Sequence, residues 1–312
     1  MKYQFYLLLL SSVFISHTSF AQTSKEDLGA LSTKITQAEQ QYNDIVEGAN
    51  KYIRWYQDKP EKTNLSIVYI HGFSASRQEL SPVTERLADQ LAANVFYTRL
   101  TGHGRSDDAM AEASIHAWQN DMIEAYDIGR LIGNKVIFIS TSTGGTLVTW
   151  LLSQDSIEQP FANIMISPNY AVQSKTAWLM KSSWGLKFAK LVNGDYNSFK
   201  PLSDAHGKFW TERYPLEAVG PMMHLLDQVE ELDKSKITTP QLIIYSPDDK
   251  VIKPNKVISV SKEFKNSKTQ LIAYQQSTDP YQHVLAGIAC SPESTDDMIN
   301  LLSNYISELL TE

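Results

Sequence analysis

The sequence contains a single cysteine, Cys290, among its 312 residues. One cysteine cannot form a disulfide within the chain, so the fold must be held together by an apolar core. A chain of this length with 42% hydrophobic residues can bury a large core. Cys290 lies just before a predicted helix, where we expect a buried and unreactive thiol.

Basic residues are also scarce. The chain has 28 Lys and Arg against 35 Asp and Glu, and its formal net charge is −7. Binding to a phosphate backbone needs clustered Lys and Arg, so nucleic acid is not expected as a partner. His116, His206 and His224 have no companions at metal-ligand spacing, and the sequence therefore predicts no metal site.

The apolar run at residues 5–15 is too short for a bilayer, which a helix spans with roughly 20 residues. Lys2 precedes the run, and the small residues Ser19 and Ala21 follow it. This order is typical of a cleaved secretory signal. We expect residues 1–21 to be removed near Ala21, which leaves an exported protein, periplasmic or secreted, without stable membrane insertion. An uncleaved anchor is the alternative.

Apolar β-favouring segments alternate with amphipathic helical ones along most of the chain. This alternation predicts an α/β fold with a mostly parallel central sheet covered by helices on both faces. The predicted strands are residues 51–57, 64–70, 95–100, 136–139, 161–166, 241–245 and 269–274. The predicted helices are residues 24–47, 80–93, 115–132, 255–264 and 295–310, with one more directly after Gly145.

The alternation stops at residues 169–230, which hold no clear strand but many large apolar residues. We interpret this segment as a mainly helical cap over the carboxyl ends of the strands, where open α/β sheets bind ligands. The predicted organisation is thus a signal peptide (1–21), an N-terminal helical extension outside the main core (22–49), a core (50–168 and 231–312) and the cap.

Ser142 lies between the predicted strand 136–139 and a predicted helix, with almost no residues left for a loop. This spacing resembles the nucleophile elbow G-x-S-x-G, with Ser140 in place of the first glycine. Ser140 is the rival nucleophile, but Phe138 would then occupy a position that must be small. The simpler reading is a strand–helix turn with capping hydroxyls.

A serine nucleophile needs a general base and an acid that orients the base. Asp248 and Asp249 follow the predicted strand 241–245, and His283 follows the strand 269–274. Both positions lie at the carboxyl ends of strands, as Ser142 does. The chain order serine, acid, histidine is that of the α/β hydrolases.

Residues 50–312 resemble the α/β-hydrolase superfamily, and specifically the branch of bacterial carboxylesterases and monoacylglycerol lipases that is similar to the serine aminopeptidases S33. The resemblance is carried by the elbow, by the acid and histidine loops, by H-G-F-S at residues 71–74 and by G-H-G-R-S at residues 102–106. It implies an α/β-hydrolase fold with an inserted mainly helical cap, and a hydrolase that needs no cofactor.

The resemblance also implies roles. Ser142 would attack the acyl carbon, His283 would act as base, and Asp249 would orient the imidazole. Asp249 is chosen as the acid because the family pattern has an aliphatic residue two positions after it. The backbone N–H groups of Phe73 and Thr143 would form the oxyanion hole. Asp248 is the rival for the role of the acid. Asp279 is expected to cap a turn, and His71 and His103 are expected to have structural roles in their own loops.

The expected substrates are small carboxylic esters with a short to medium acyl chain, monoacylglycerol-like esters among them. A serine at the elbow argues against the members of the superfamily that use Asp there. Thr143 stands where proline-releasing peptidases often carry Trp, which disfavours a peptidase. The cap residues Trp178, Trp184 and Met222 either line an acyl pocket or only pack the cap.

Two other functions stay open. An aminopeptidase or amidase would need an acidic subsite, for which the cap offers Glu212, Glu217 and Asp227. A non-catalytic ligand-binding protein of the same fold is disfavoured by the complete set of serine, acid and histidine.

Overall fold

The structure is a computed structural model that describes residues 25–312, with side chains from Leu28 onward. In chain order its helices and strands are α1 (Lys25–Glu39), β1 (Tyr52–Arg54), β2 (Thr63–Ile70), α2 (Val83–Leu91), β3 (Asn94–Tyr97), α3 (Ile115–Ile132), β4 (Gly133–Thr141), α4 (Thr143–Leu152), β5 (Ala162–Ile166), α5 (Ser183–Asn193), β6 (Tyr196–Ser198), α6 (Asp204–Phe209), β7 (Arg213–Pro215), α7 (Val219–Glu230), β8 (Gln241–Tyr245), α8 (Pro254–Ser261), β9 (Thr269–Ala273) and α9 (Thr295–Thr311).

The central sheet has the strand order β1-β3-β2-β4-β5-β8-β9. All neighbours pair in parallel except β1, which runs antiparallel to β3. Parallel neighbours need a crossover connection, and helices supply most of these here. The fold class predicted from the alternating pattern is therefore confirmed.

Both faces of the sheet are buried, which explains why its strands are continuous apolar runs. In β2, Val68 and Ile70 point to the face covered by α3 and α4, while Ile67 and Tyr69 point to the face covered by α2 and α9. At the carboxyl end of the sheet this packing leaves the loops after β2, β4, β8 and β9 at one edge. The predicted site residues lie on these loops.

Between the adjacent strands β5 and β8 the chain leaves the sheet and forms an inserted segment, residues 167–240. This segment contains α5, α6 and α7, but also the antiparallel pair β6 and β7. The prediction that it holds no strand is therefore wrong. Each of these strands has only three residues, which is too short for an alternating apolar pattern to be visible.

The N-terminal helix is shorter than predicted and contacts the core directly. It ends at Glu39 instead of continuing to residue 47. Glu39 accepts hydrogen bonds from Arg99, at 2.8 Å from Nε and 2.7 Å from Nη2, and both side chains are buried. Ile35 belongs to the main apolar cluster. The expectation of an extension outside the core is thus not met by α1.

The predicted signal sequence, residues 1–21, lies outside the described residues and stays a prediction. Within residues 25–312, no helix is both long enough and apolar enough to cross a membrane.

Candidate active site

Ser142 lies on a sharp turn between the last residue of β4 and the first residue of α4. Its backbone has φ 51° and ψ −117°, a region that non-glycine residues rarely adopt. The surrounding structure enforces this turn: the Ser142 N–H donates to the carbonyl of Ile166 at 3.0 Å. A Cβ on Gly144 would lie 2.3 Å from the Ile70 carbonyl oxygen, so only glycine fits there.

Ser140, the rival nucleophile, is fully buried. Its hydroxyl points to the neighbouring strand and donates to the Ile164 carbonyl at 3.4 Å. Ser142, in contrast, lines the large cavity at the carboxyl end of the sheet.

His283 and Asp249 are brought together by the loops after β9 and β8. The Asp249 Oδ2 atom lies 2.7 Å from His283 Nδ1. The other carboxylate oxygen, Oδ1, accepts from the backbone N–H groups of Val251 at 2.7 Å and Ile252 at 2.9 Å. These two bonds fix the carboxylate, and Asp249 is buried. Asp248 is exposed to solvent.

The pKa of His283 is raised above its ordinary value. Burial opposes this by disfavouring the charged imidazolium, but the charge of Asp249 and its hydrogen bond outweigh burial. The imidazole is therefore held in an environment that stabilises its protonated form, which a general base forms when it accepts a proton.

Asp279 holds the histidine loop. Its Oδ2 accepts from the backbone N–H groups of His283 and Val284, each at 2.9 Å, and its Oδ1 accepts from the N–H of Tyr281 at 2.9 Å. Because both oxygens bind backbone N–H groups of its own loop, Asp279 has the place expected of a turn cap.

Phe73 and Thr143 both line the same cavity as Ser142 and His283. Thr143 is the first residue of α4, where backbone N–H groups have no partner within the helix and the helix dipole favours negative charge. Phe73 follows Gly72, and a Cβ on Gly72 would lie 3.1 Å from the Ser142 Cβ. The loop after β2 thus passes directly beside Ser142.

His71 and His103 lie beneath this loop. His71 donates through Nδ1 to the Gly72 carbonyl at 2.9 Å, and its Nε2 accepts from the Leu100 N–H at 3.1 Å. Burial lowers the pKa of His71 to about 4 and that of His103 well below its ordinary value, so both rings stay neutral. Their rings pack 5.1 Å apart. Both histidines thus brace the loops after β2 and β3.

The remaining histidines do not meet at one place. His116 and His224 are exposed, whereas His206 lines the cavity and accepts from the Leu202 N–H at 3.1 Å through Nδ1. Across residues 25–312, no group of three or more His, Cys, Asp or Glu side chains is arranged to hold a metal ion.

Glu79, which belongs to none of the sequence motifs, also lines the cavity. This buried carboxylate follows the loop of Phe73, in a short helical turn. Burial raises the pKa of Glu79 to about 7, although hydrogen bonds to the carboxylate oppose the shift. An acidic residue in the first turn of a helix is common, so the local sequence around Glu79 does not indicate a buried carboxylate.

The cavity has a volume of about 490 Å³, and much of its lining is apolar. Of the three cap residues considered for an acyl pocket, Met222 lines this cavity. Trp178 and Trp184 do not: their exposed fractions are 59% and 70%. The small residues Gly185 and Ala189 face inward on α5, and this turns Trp184 outward. Apolar lining residues of the inserted segment include Met180, Phe199, Leu202, Trp210, Leu216 and Met222.

Solved structures with the same fold include several lipolytic enzymes. A structure reported for the metagenome-derived lipolytic enzymes LipS and LipT has a TM-score of 0.67 at 20% identity, covering 85% of this chain and 99% of that one. A monoacylglycerol lipase from Paleococcus ferrophilus has a TM-score of 0.59 at 14% identity, and the match covers 83% of this chain and 99% of that one. A soluble variant of the Saccharomyces cerevisiae monoglyceride lipase has a TM-score of 0.61 at 12% identity, and the match covers 83% of this chain and 91% of that one. At these identities the likeness concerns the fold.

No curated protein matches the chain significantly by sequence. The profile of a family described as serine aminopeptidase, S33, however, matches residues 61–278. This match covers more than half of the chain, and it includes the elbow of Ser142 and the loop of Asp249. The chain therefore belongs to the serine aminopeptidase S33 family and has the α/β-hydrolase fold.

Proposed function

We propose that this protein is a serine hydrolase that cleaves carboxylic esters with a short to medium acyl chain. One observation carries the proposal: the bonded pair of Asp249 and His283 and the strained turn of Ser142 meet at one largely apolar cavity. An apolar cavity suits an acyl chain, because its burial removes apolar surface from water.

The proposed reaction has two stages. In acylation, the Ser142 Oγ attacks the acyl carbon while His283 accepts the Ser142 proton. The ester C–O bond then breaks, and the alcohol leaves with that proton. In deacylation, His283 takes a proton from water as the water attacks the acyl carbon, and it returns this proton to Ser142 Oγ as the acid leaves. Asp249 holds the imidazole tautomer in both stages and stabilises the imidazolium.

Charge develops on the carbonyl oxygen in each stage. We assign its stabilisation to the backbone N–H groups of Phe73 and Thr143, the second of which also lies at the positive end of α4. Removing one such donor from a serine hydrolase typically costs about 3 kcal/mol of transition-state stabilisation. We further propose that the inserted segment acts as a cap, because its apolar side chains form much of the cavity lining.

A series of p-nitrophenyl esters from acetate to laurate tests this function. We expect turnover with a maximum among the shorter chains and loss of turnover in Ser142→Ala. Folded protein without turnover at any chain length would contradict the ester assignment. A Ser142→Ala variant with full activity would contradict the assigned nucleophile.

An aminopeptidase or amidase is the second candidate, and the description of the matched family favours it. The acidic cap residues offered for an amine subsite do not support it. Asp227 pairs with Lys181 at 2.8 Å, Glu217 pairs with Lys190 at 2.9 Å, and neither lines the cavity. Glu212 does not line it either. Hydrolysis of aminoacyl anilides faster than of esters would favour this candidate.

A further inference from the structure

Glu79 is a buried carboxylate beside Ser142 that the proposed reaction does not use. Its side chain is 2% exposed and lines the cavity. A Cβ on Gly72 would lie 2.9 Å from the Glu79 Oε1 and 3.1 Å from the Ser142 Cβ. The carboxylate and the side chain of Ser142 therefore both lie close against Gly72, which a larger residue could not replace. A charge in such a place calls for a function, because an ionised carboxylate is costly to bury.

The carboxylate ties the oxyanion loop to the strand of the nucleophile. Its Oε2 accepts from the Gly72 N–H at 2.8 Å and from the Tyr69 hydroxyl at 3.0 Å. The Tyr69 oxygen also lies 3.1 Å from the Thr141 Oγ1, and Thr141 directly precedes Ser142. Gly72 in turn precedes Phe73. Glu79 thus restrains the backbone on both sides of the proposed oxyanion hole.

The charge of Glu79 also acts on His283, which is buried on the same cavity. Three titratable groups face His283: Asp249, Asp279 and Glu79. Asp249 holds Nδ1, and Asp279 uses both oxygens on backbone N–H groups. Charges interact strongly at buried sites, where water does not screen them. Glu79 therefore adds to the attraction for an imidazolium.

Three titratable groups face Glu79 itself: Tyr69, His283 and the Cys290 thiol. Burial raises the pKa of the Tyr69 phenol and of the Cys290 thiol, so both stay neutral at ordinary pH. The proposed reaction places a positive charge on His283. This residue is thus the neighbour whose charge state the Glu79 carboxylate can influence during turnover.

We propose that Glu79 is a positioning residue of the active site: its hydrogen bond to Gly72 holds the oxyanion loop against the nucleophile, and its charge stabilises the imidazolium of His283. The inference rests on the proposed function, since both effects concern acyl transfer to Ser142. The proton still moves from Ser142 to His283, and Glu79 transfers none.

The test follows Ser142 with a fluorophosphonate, whose labelling rate is measured across pH and which requires no particular ester. In Glu79→Gln, a side chain of the same shape loses the charge. We expect labelling to be about tenfold slower, a smaller loss than that of a direct oxyanion donor. We also expect the acid limb of the pH profile to move to lower pH, because removing a nearby negative charge lowers the pKa of His283.

Two further variants separate the effects. Glu79→Asp keeps the charge but shortens the reach to Gly72, so we expect slower labelling with the acid limb in place. Glu231→Gln removes an equal charge from the exposed surface and is expected to match the wild type in both readouts. Assayed with p-nitrophenyl esters, the two Glu79 variants should change kcat more than KM.

The inference is overturned if Glu79→Gln labels at the wild-type rate with an unmoved acid limb. It is also overturned if the Gln and Asp variants are equally slow with unmoved acid limbs, since that pattern indicates packing alone. If the Gln variant does not fold, the Asp variant decides: slower labelling at a wild-type free energy of unfolding supports the inference, whereas wild-type labelling, or slower labelling with a matching loss of stability, contradicts it. Wild-type labelling without ester turnover would refute the ester assignment and leave the Glu79 readouts intact. No labelling of folded wild type would refute both.

Discussion

The Asp249 carboxylate lies 2.7 Å from Nδ1 of His283, while its second oxygen is held by the N–H groups of Val251 and Ile252. The aspartate is thus oriented by its own loop before it orients the histidine. Its neighbour Asp248 is exposed. This pair of adjacent carboxylates, one buried and one in solvent, provides a matched test of the proposed mechanism.

We expect Asp249→Asn to fold and to lose kcat by roughly a thousandfold or more, because an amide can donate to Nδ1 and hold the imidazole in the wrong tautomer. Ester hydrolysis under saturating substrate measures the effect. Asp248→Asn is the control, with the same chemical change one residue earlier, and should keep wild-type kcat. Equal losses in the two variants would contradict the role of Asp249.

Gly144 should not tolerate a side chain, because an added Cβ would lie 2.3 Å from the Ile70 carbonyl oxygen. We expect Gly144→Ala to lower the free energy of unfolding by about 2 kcal/mol or more through overpacking. Gly29→Ala is the control, since no atom lies within 4 Å of its added Cβ and the site is helical. This variant should gain up to about 1 kcal/mol. Urea unfolding of both variants measures the difference. An unchanged free energy of unfolding in Gly144→Ala would contradict the close approach of Gly144 to Ile70.

Glu79 should make the stability of the fold depend on pH. Its pKa rises from 4.5 to about 7 on folding, so the folded state binds more protons than the unfolded state between these values. Stability contributed by this group is therefore present below about pH 4.5 and is lost as pH rises through 7. This pKa difference corresponds to a loss of about 3 kcal/mol in the free energy of unfolding.

Glu79→Gln removes this titration. The free energy of unfolding of the variant relative to the wild type should therefore rise between about pH 5 and about pH 8, when both are measured in urea at matched ionic strength. A difference that stays constant over this range would mean that Glu79 does not titrate there.

The sequence was sufficient to predict the features that follow from regular patterns, namely the strands of the central sheet and the chain order of the candidate site residues. The strands around Ser142 are continuous apolar runs because both faces of the sheet are buried, so their places along the chain could be predicted. The order of Ser142, the acid loop and His283 placed all three at one edge of the sheet. Sequence reasoning preferred Asp249 to Asp248 only because the family pattern has an aliphatic residue two positions after the acid. The structure supplies the physical difference, since Asp249 is buried and Asp248 is exposed.

Other features depend on contacts that no local pattern contains. Glu79 resembles an ordinary helix-start acid, and only its tertiary neighbours reveal a buried carboxylate. Trp184 was a reasonable pocket residue by composition, but the direction of α5 is decided by the small residues Gly185 and Ala189. The helix α1 ends at Glu39, whose side chain binds Arg99, a residue 60 positions away along the chain.

The buried ion pair of Glu39 and Arg99 makes α1 part of the smallest unit of this protein that can fold on its own. Arg99 lies two residues after the end of β3, close to the G-H-G-R-S loop, and its side chain is 4% exposed. A chain that began at β1 would leave this cation desolvated without its counterion, a situation that typically costs about 3 to 5 kcal/mol. The α/β core is therefore not separable from α1: this helix supplies the counter-charge for a residue near the candidate active site and belongs to the same folding unit.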